Sequence, residues 1–246
     1  MRELDSIAVV GAGRLGTALT AALRAAGLSV AGPLGREPDV AGATLVLLCV
    51  PDGEIGAAAA KLGPGARDDI IVGHCSGATT LEPLSGHEAL GLHPLMTVPA
   101  GSPPDVFRGA AAAVDGTTPR ALGAAEELAR LLGMRPMRVA PEDRAAYHAA
   151  ASIASNFVVT LEAAAERLAA TAGVDRAALA PLVRAAVETW AELGPERALT
   201  GPIARGDEAT VARQREAVLD RTPELAPLFD ALVQATRALA RAGVAA

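Results

Sequence analysis

The sequence predicts an α/β protein, with a doubly wound, mostly parallel sheet over residues 1–140 and an all-helical domain over residues 141–246. Three observations predict it. Short apolar runs alternate with helical patterns up to about residue 140. Strand signals stop after Pro141. The first apolar run leads directly into a glycine-rich turn and a helix. Such alternation builds a parallel sheet, because each return to the same edge needs a crossover, usually a helix.

The elements follow in order. Ile7 to Val10 reads as the first strand, residues 14–26 as a helix stopped by Gly27, and residues 28–34 as the second strand. Residues 45–50 and 70–73 read as buried strands, the latter running into His74-Cys75-Ser76-Gly77. A strand over 90–93 ends at Pro94, a Pro/Gly-rich loop runs to Pro104, and residues 110–114 form a weak strand. Pro119 opens a helix to Leu132, where a missing N–H costs nothing, and residues 137–139 form the last strand. Helical patterns then cover 142–172, 175–193, 207–219 and 223–242. Only about nine residues separate the second strand from the third, where a parallel crossover normally takes a dozen or more. Nine extended residues span roughly 30 Å, so the path closes without a helix and leaves the adenine side of a nucleotide site open.

Composition sets bounds. The chain is 51% hydrophobic and only 2% aromatic, with much of its apolar content in helix-favouring alanine. A net charge of −6 argues against nucleic acid, whose partners carry basic patches. Two cysteines are too few for a disulfide framework. No apolar run spans a membrane and the N-terminus lacks a signal-peptide core, so the expected compartment is the cytoplasm. No metal site is expected.

The main chemical motif is Gly11-Ala12-Gly13-Arg14-Leu15-Gly16, a G-x-G-x-x-G between a strand and a helix at the head of a strand–helix series. Gly11 permits the tight turn, Gly13 lets backbone approach a pyrophosphate, and Gly16 lets helix pack on strand. The helix N-terminus offers N–H groups and a positive dipole end to the phosphates. This is the context of a Rossmann-type dinucleotide site. The second strand ends Gly32-Pro33-Leu34-Gly35-Arg36, with no carboxylate to bind a ribose 2′-OH and with a guanidinium suited to a 2′-phosphate. The expected cofactor is therefore NADP rather than NAD, with Glu37 and Asp39 as competing candidates for an NAD-type contact. Val50, Pro51 and Ser76 follow later strands and are expected to line the same site.

Several stretches taken together, GAGRLG, CVPD (49–52), HCSGA (74–78), GLHPL (91–95), AYHAAASIASN (146–156) and LTGPIARGD (199–207), carry a family resemblance. The chain resembles the oxidoreductases that pair a Rossmann-like domain with a C-terminal helical domain of unknown function. These are related to ketopantoate reductase, pyrroline-carboxylate reductase and the 6-phosphogluconate and hydroxyisobutyrate dehydrogenases. The resemblance implies an NADP-type cofactor, a cleft between domains and a homodimer built through the helical domains. Those relatives carry a lysine, with an asparagine four residues later, on the long interdomain helix. Here Lys61 is the only lysine and lies in the first domain.

That helix offers other groups. His148, Ser152, Ser155 and Asn156 stand at i, i+4, i+7 and i+8, one face of an α-helix. His148 is the candidate general acid, since imidazole titrates near neutrality, and Ser152 and Asn156 are candidates for orienting a substrate. Tyr147, the only tyrosine, should point about 100° away from that face. His93 and Ser76 fall just after strands, where open α/β folds bind ligands, and His93 is a second acid/base candidate or a structural histidine. His74 is ambiguous. Asp52 reads better as a helix cap than as a catalyst, and Cys49 and Cys75 as small packed hydrophobes. Asp207 is expected to cap a helix, and Arg205 is a weaker candidate for a carboxylate clamp. The leading reading is an NADP-dependent reductase of a small 2-oxo acid or imino acid. The alternative is a non-catalytic NADP(H)-binding regulator or scaffold.

Overall fold

The computed structural model describes residues 4–62 and 69–244. A seven-stranded sheet is ordered β2-β1-β3-β4-β5-β6-β7. Its strands are β1 (Ile7–Val10), β2 (Val30–Leu34), β3 (Leu45–Leu48), β4 (Ile71–His74), β5 (Glu88–Leu95), β6 (Ala111–Gly116) and β7 (Arg135–Arg138). All neighbours run parallel except β5 and β6, an antiparallel pair with His93 opposite Ala113 and Gly91 opposite Asp115. The central strands are fully buried runs such as Leu45-Val46-Leu47-Leu48, as a sheet covered on both faces requires.

Two cores cover the two faces. On one, α1 (Arg14–Ala25) and α3 (Pro119–Leu131) press Leu19, Leu23, Ala125 and Leu128 onto the sheet, with Phe107 from the β5–β6 loop among them. Thr118 caps α3 by accepting from the Ala121 N–H at 3.1 Å, and Pro119 opens its first turn. On the other face, short α2 (Ile55–Ala60) supplies Ile55 and Ala59, and the β2–β3 connection supplies Val40 and Ala43. That connection has no helix, as its length predicts. Two buried side chains of an irregular loop do the covering that a crossover helix usually does. Strand β2 is consequently the edge of the sheet.

The chain divides into two compact units, Met1–Asn156 and Phe157–Ala246. Residues 141–156, which lie beyond the boundary read from the sequence at 140, are grouped with the first unit. Helix α4 (Arg144–Ser152) is tied to the sheet there by buried Arg144, which donates to Asp115 on β6 at 3.1 Å.

The second unit is helical: α5 (Val158–Ala170), α6 (Arg176–Leu193), α7 (Pro195–Ala198), α8 (Glu208–Arg221) and α9 (Ala226–Val244). Its buried side chains are Val211, Val218, Thr222, Ala226 and Val233, where α8 and α9 pack together. Arg215 and Asp230 form a two-bond ion pair between these helices, at 2.7 and 2.8 Å. Asp175 and Asp207 cap α6 and α8 by accepting from Ala178 and Thr210. No helix among the described residues is long and apolar enough to cross a membrane.

Candidate active site

The glycine turn is built as its sequence requires. Gly11 has φ +113°, and a Cβ there would lie 2.3 Å from the Cys49 carbonyl oxygen. A Cβ on Gly16 would lie 1.9 Å from the Gly11 carbonyl oxygen, so strand, turn and helix close only through two glycines. Gly13 has open space at its Cβ position, and as N-cap of α1 it supplies no side-chain acceptor. The first-turn N–H groups of α1 have no helical acceptors and sit at a positive dipole end, beside the open space at Gly13. The residues present therefore fit a dinucleotide pyrophosphate.

Gly13, Arg14 and Leu15 line one end of a cleft of about 1100 Å³. All of its lining comes from the first unit. Residues 49–52 form one wall. Asp52 opens a 3₁₀ turn and accepts a hydrogen bond from Ser76 Oγ at 2.8 Å, while Ser76 Oγ accepts from the Thr79 N–H at 2.9 Å. The helix-cap reading of Asp52 is thus corrected: α2 has no side-chain cap, and this carboxylate fixes the Ser76 hydroxyl instead. His74 is fully buried and structural. Its Nδ1 accepts from the Ser76 N–H at 3.2 Å and its Nε2 donates to the Thr80 carbonyl at 3.0 Å. Burial lowers its pKa and agrees with that neutral tautomer. Cys49 and Cys75 end adjacent strands with sulfurs 3.7 Å apart, and both line the cleft. The hydrogen bond to Cys75, with burial, raises the Cys49 pKa well above the usual thiol range.

His93 stands at the centre. Gly77 makes room for it, since a Cβ there would come within 2.7 Å of the imidazole. Its Nδ1 shares a 2.7 Å hydrogen bond with the Tyr147 hydroxyl, the two rings meeting edge to face at 5.6 Å. The His148 ring lies 6.2 Å away. Burial, then the positive fields of His148 and Arg144, lower the His93 pKa to about 4. At neutral pH it is an uncharged imidazole that relays hydrogen bonds, not a cationic acid. Burial raises the Tyr147 pKa, so the phenol stays protonated.

The helical stripe is only partly as its spacing predicts. His148, Ser152, Ser155 and Asn156 do line the cleft, but so does Tyr147. The chain leaves α-helical geometry after Ser152, with a π turn over Ile153–Phe157. In that turn Ser155 Oγ donates to the Ala151 carbonyl at 3.0 Å and to Asn156 Oδ1 at 3.2 Å. An expectation of 100° per residue cannot place residues across such a turn, which recurs at functional sites. Val50, Pro51 and Ser76 line the cleft as expected. Arg36 does not; it is exposed, two residues beyond β2, whose last residue Leu34 accepts from the Gly11 N–H. Its rival Asp39 is engaged in a turn, accepting from the Ala41 N–H. Sequence reasoning missed the Tyr147–His93 bond and Arg144. The i, i+3 spacing of Arg144 and Tyr147 was the available signal.

A family profile described as a domain of unknown function, DUF2520, matches residues 110–236, just over half of the chain. The chain belongs to this family. A Bacteroides fragilis protein named as a candidate NADP oxidoreductase has a similar fold, with a TM-score of 0.82 at 22% identity over 96% of this chain and 99% of its own. A Thermotoga maritima protein gives 0.80 at 24% identity, with the same coverage. The NADP-bound pyrroline carboxylate reductase of Plasmodium falciparum gives 0.61 at 11% identity, over 97% of this chain and 99% of its own. At these identities the likeness is one of fold, a Rossmann-type sheet followed by helices. No curated protein matches the sequence.

The neutral state of His93 predicts a pH dependence. Its folded pKa of about 4 lies below the ordinary 6.5, so the unfolded chain binds more protons between those values. Stability from this group is full above pH 6.5 and is lost as pH falls toward 4. The loss is on the order of 2 kcal/mol after partial solvent screening. Denaturant unfolding at neutral and acid pH should show His93→Gln with a flatter profile, and imidazole NMR should place the His93 midpoint near 4. A midpoint near 6.5 would contradict the buried, neutral assignment.

Proposed function

We propose that the protein is an NADP-dependent oxidoreductase that reduces a small 2-oxo acid or imino acid in the cleft beside α4. The observation that supports this most is that one cavity joins the phosphate-ready turn of α1 to a polar wall of His93, Tyr147 and His148. The solved proteins of like fold include an NADP-bound reductase, which supports the same reading. The Gly13–Leu15 turn would hold the pyrophosphate, and Arg36 a 2′-phosphate, since Asp39 is occupied and no carboxylate ends β2. A bound dihydronicotinamide would supply a hydride equivalent to C=O or C=N.

The chain's own part is to bind, orient and protonate. Ser152 and Asn156 offer hydrogen bonds to a substrate. His93, held neutral, keeps the Tyr147 hydroxyl in place by a 2.7 Å bond. His148, exposed on the same wall, donates the proton that the developing alkoxide or amine requires. The alternative, a dinucleotide-binding regulator of the cytoplasm without turnover, draws support from Lys61. This only lysine closes α2 and is not among the cleft residues.

Titration calorimetry should find NADPH bound more tightly than NADH, with Arg36→Ala narrowing the gap by roughly tenfold to a hundredfold, as for a charge-assisted bond. Equal affinities in the parent protein would remove the NADP assignment. With a panel of 2-oxo and cyclic imino acids, NADPH consumption should appear, and His148→Gln should lower kcat by roughly 10²–10⁴ while NADPH affinity holds. Tight NADPH binding with no turnover on any member supports the regulator. Full kcat in His148→Gln moves the acid role to Tyr147.

The second unit supports a homodimer. Helices α5 and α6 bury no residue, and Val159, Leu182 and Trp190 are 70%, 69% and 56% exposed. Leu182, Trp190 and Leu193 fall within about 80° of arc at 100° per residue, an apolar stripe of the kind that a partner helix covers. Light scattering at micromolar concentration should give twice the 24.7 kDa chain mass, and Trp190→Glu with Leu182→Glu should halve it. A parent protein with the mass of one chain refutes the dimer.

A further inference from the structure

Arg144 is 2% exposed, yet it carries a full charge beneath the cleft wall. One of its terminal nitrogens donates to Asp115 Oδ2 at 3.1 Å, while its Nε has no hydrogen-bond partner. A buried ion pair with an unsatisfied N–H is a poor way merely to anchor a helix, because apolar side chains of similar volume often do as well or better. The sheet makes room for it: a Cβ on Gly91 would lie 3.4 Å from the same nitrogen, and Gly91 pairs with Asp115 across β5 and β6. Arg144 is the first residue of α4, and Tyr147 and His148 follow at i+3 and i+4 on the face it anchors. Two residues beyond Gly91 on β5 stands His93, the partner of Tyr147.

We propose that Arg144 is a positioning residue: its ion pair with Asp115, seated over Gly91, fixes the rotation of α4 so that the Tyr147 hydroxyl stays bonded to His93 and His148 stays on the cleft wall. The claim rests on reading that cluster as the proton-handling part of the reductase. Five groups face the His93 imidazole: Tyr147, His148 and Arg144 from α4, Asp52 from the turn after β3, and His74 from β4. Arg144 and His148 favour its neutral form, and Asp52 opposes them. Arg144 also lowers the Tyr147 pKa, against the larger effect of burial. Arg144 thus acts on the pair through geometry and through its field.

The test does not depend on turnover. Tyr147 is the only tyrosine, so a ring-labelled tyrosine gives one set of NMR signals, and its cross-relaxation to the His93 ring reports the contact directly. In Arg144→Met that contact should disappear, and the His93 midpoint should rise from about 4 toward the ordinary range. Arg144→Lys, which keeps the charge, should hold the midpoint nearer the parent value. Leu128→Ala, a fully buried core change on α3, lowers stability and should move neither signal. If Arg144→Met does not fold, Asp115→Asn breaks the same ion pair with an isosteric side chain and should loosen the same contact. An unchanged Tyr147–His93 contact and His93 midpoint in the folded variant overturn the proposal. A parent protein that keeps the contact yet shows no reductase activity overturns the functional reading alone.

Discussion

In-register pairing of β1, β3, β4 and β5 aligns Val10, Leu48, His74 and Gly91 in one row. Everything chemical in the first unit follows from where that row ends. The Cys49 and Cys75 N–H groups still donate to the Val10 and Leu48 carbonyls of their neighbours, so the sheet continues one residue further before the chains turn away. The glycine turn, the Asp52 turn, the Ser76–Gly77 corner and His93 therefore emerge at one edge, at one height. Parallel strands put all their carboxyl ends on the same side, which is why such sheets bind ligands there. A slip of one residue in any of these strands would exchange the side chains that face its two cores and carry its loop out of the site.

The fold was legible because its signals are strong and local. Apolar runs at 45–50 and 70–73, a glycine turn at 11–16 and the cap at Asp207 depend on a few neighbouring residues. The antiparallel turn of β6 was not legible, because strand direction depends on how the long loop after Pro99 returns, and that is set by Phe107 dropping into the core. Nor was the π turn at 153–157, whose one extra residue per turn leaves no mark in a periodicity read at 3.6. Tyr147, inside regular α4, joins the cleft because His93 on β5 reaches its hydroxyl. Of the candidate site residues, those on strand ends and in the glycine turn followed from the pattern. The partners of His93 and Ser76, 54 and 24 residues away, required the tertiary structure.

Electrostatically, the histidines on and behind the cleft wall are arranged by how much water each keeps. His74 is sealed and fully engaged, His93 is largely buried and neutral, and His148 is exposed. The buried guanidinium of Arg144 adds a positive field at His74 and His93, and Asp52 opposes it at both. The neutral imidazoles of His74 and His93 beside a permanent cation keep hydrogen bonds whose pattern does not change around neutral pH.

The shortened β2–β3 connection leaves β2 with a free side, and exposed strand edges invite other chains to pair with them. Arg24, in the last turn of α1, reaches over this side. Its guanidinium donates to the Val30 carbonyl at 3.2 and 3.0 Å and to the Gly32 carbonyl at 2.8 Å. Alternate residues of a strand face the same way, so these two acceptors belong to one row. One side chain thus stands in for the backbone donors that a further strand would have presented, and it places a positive charge where a second molecule would have to dock. The shortened connection is therefore compatible with a chain that does not polymerise along its own sheet.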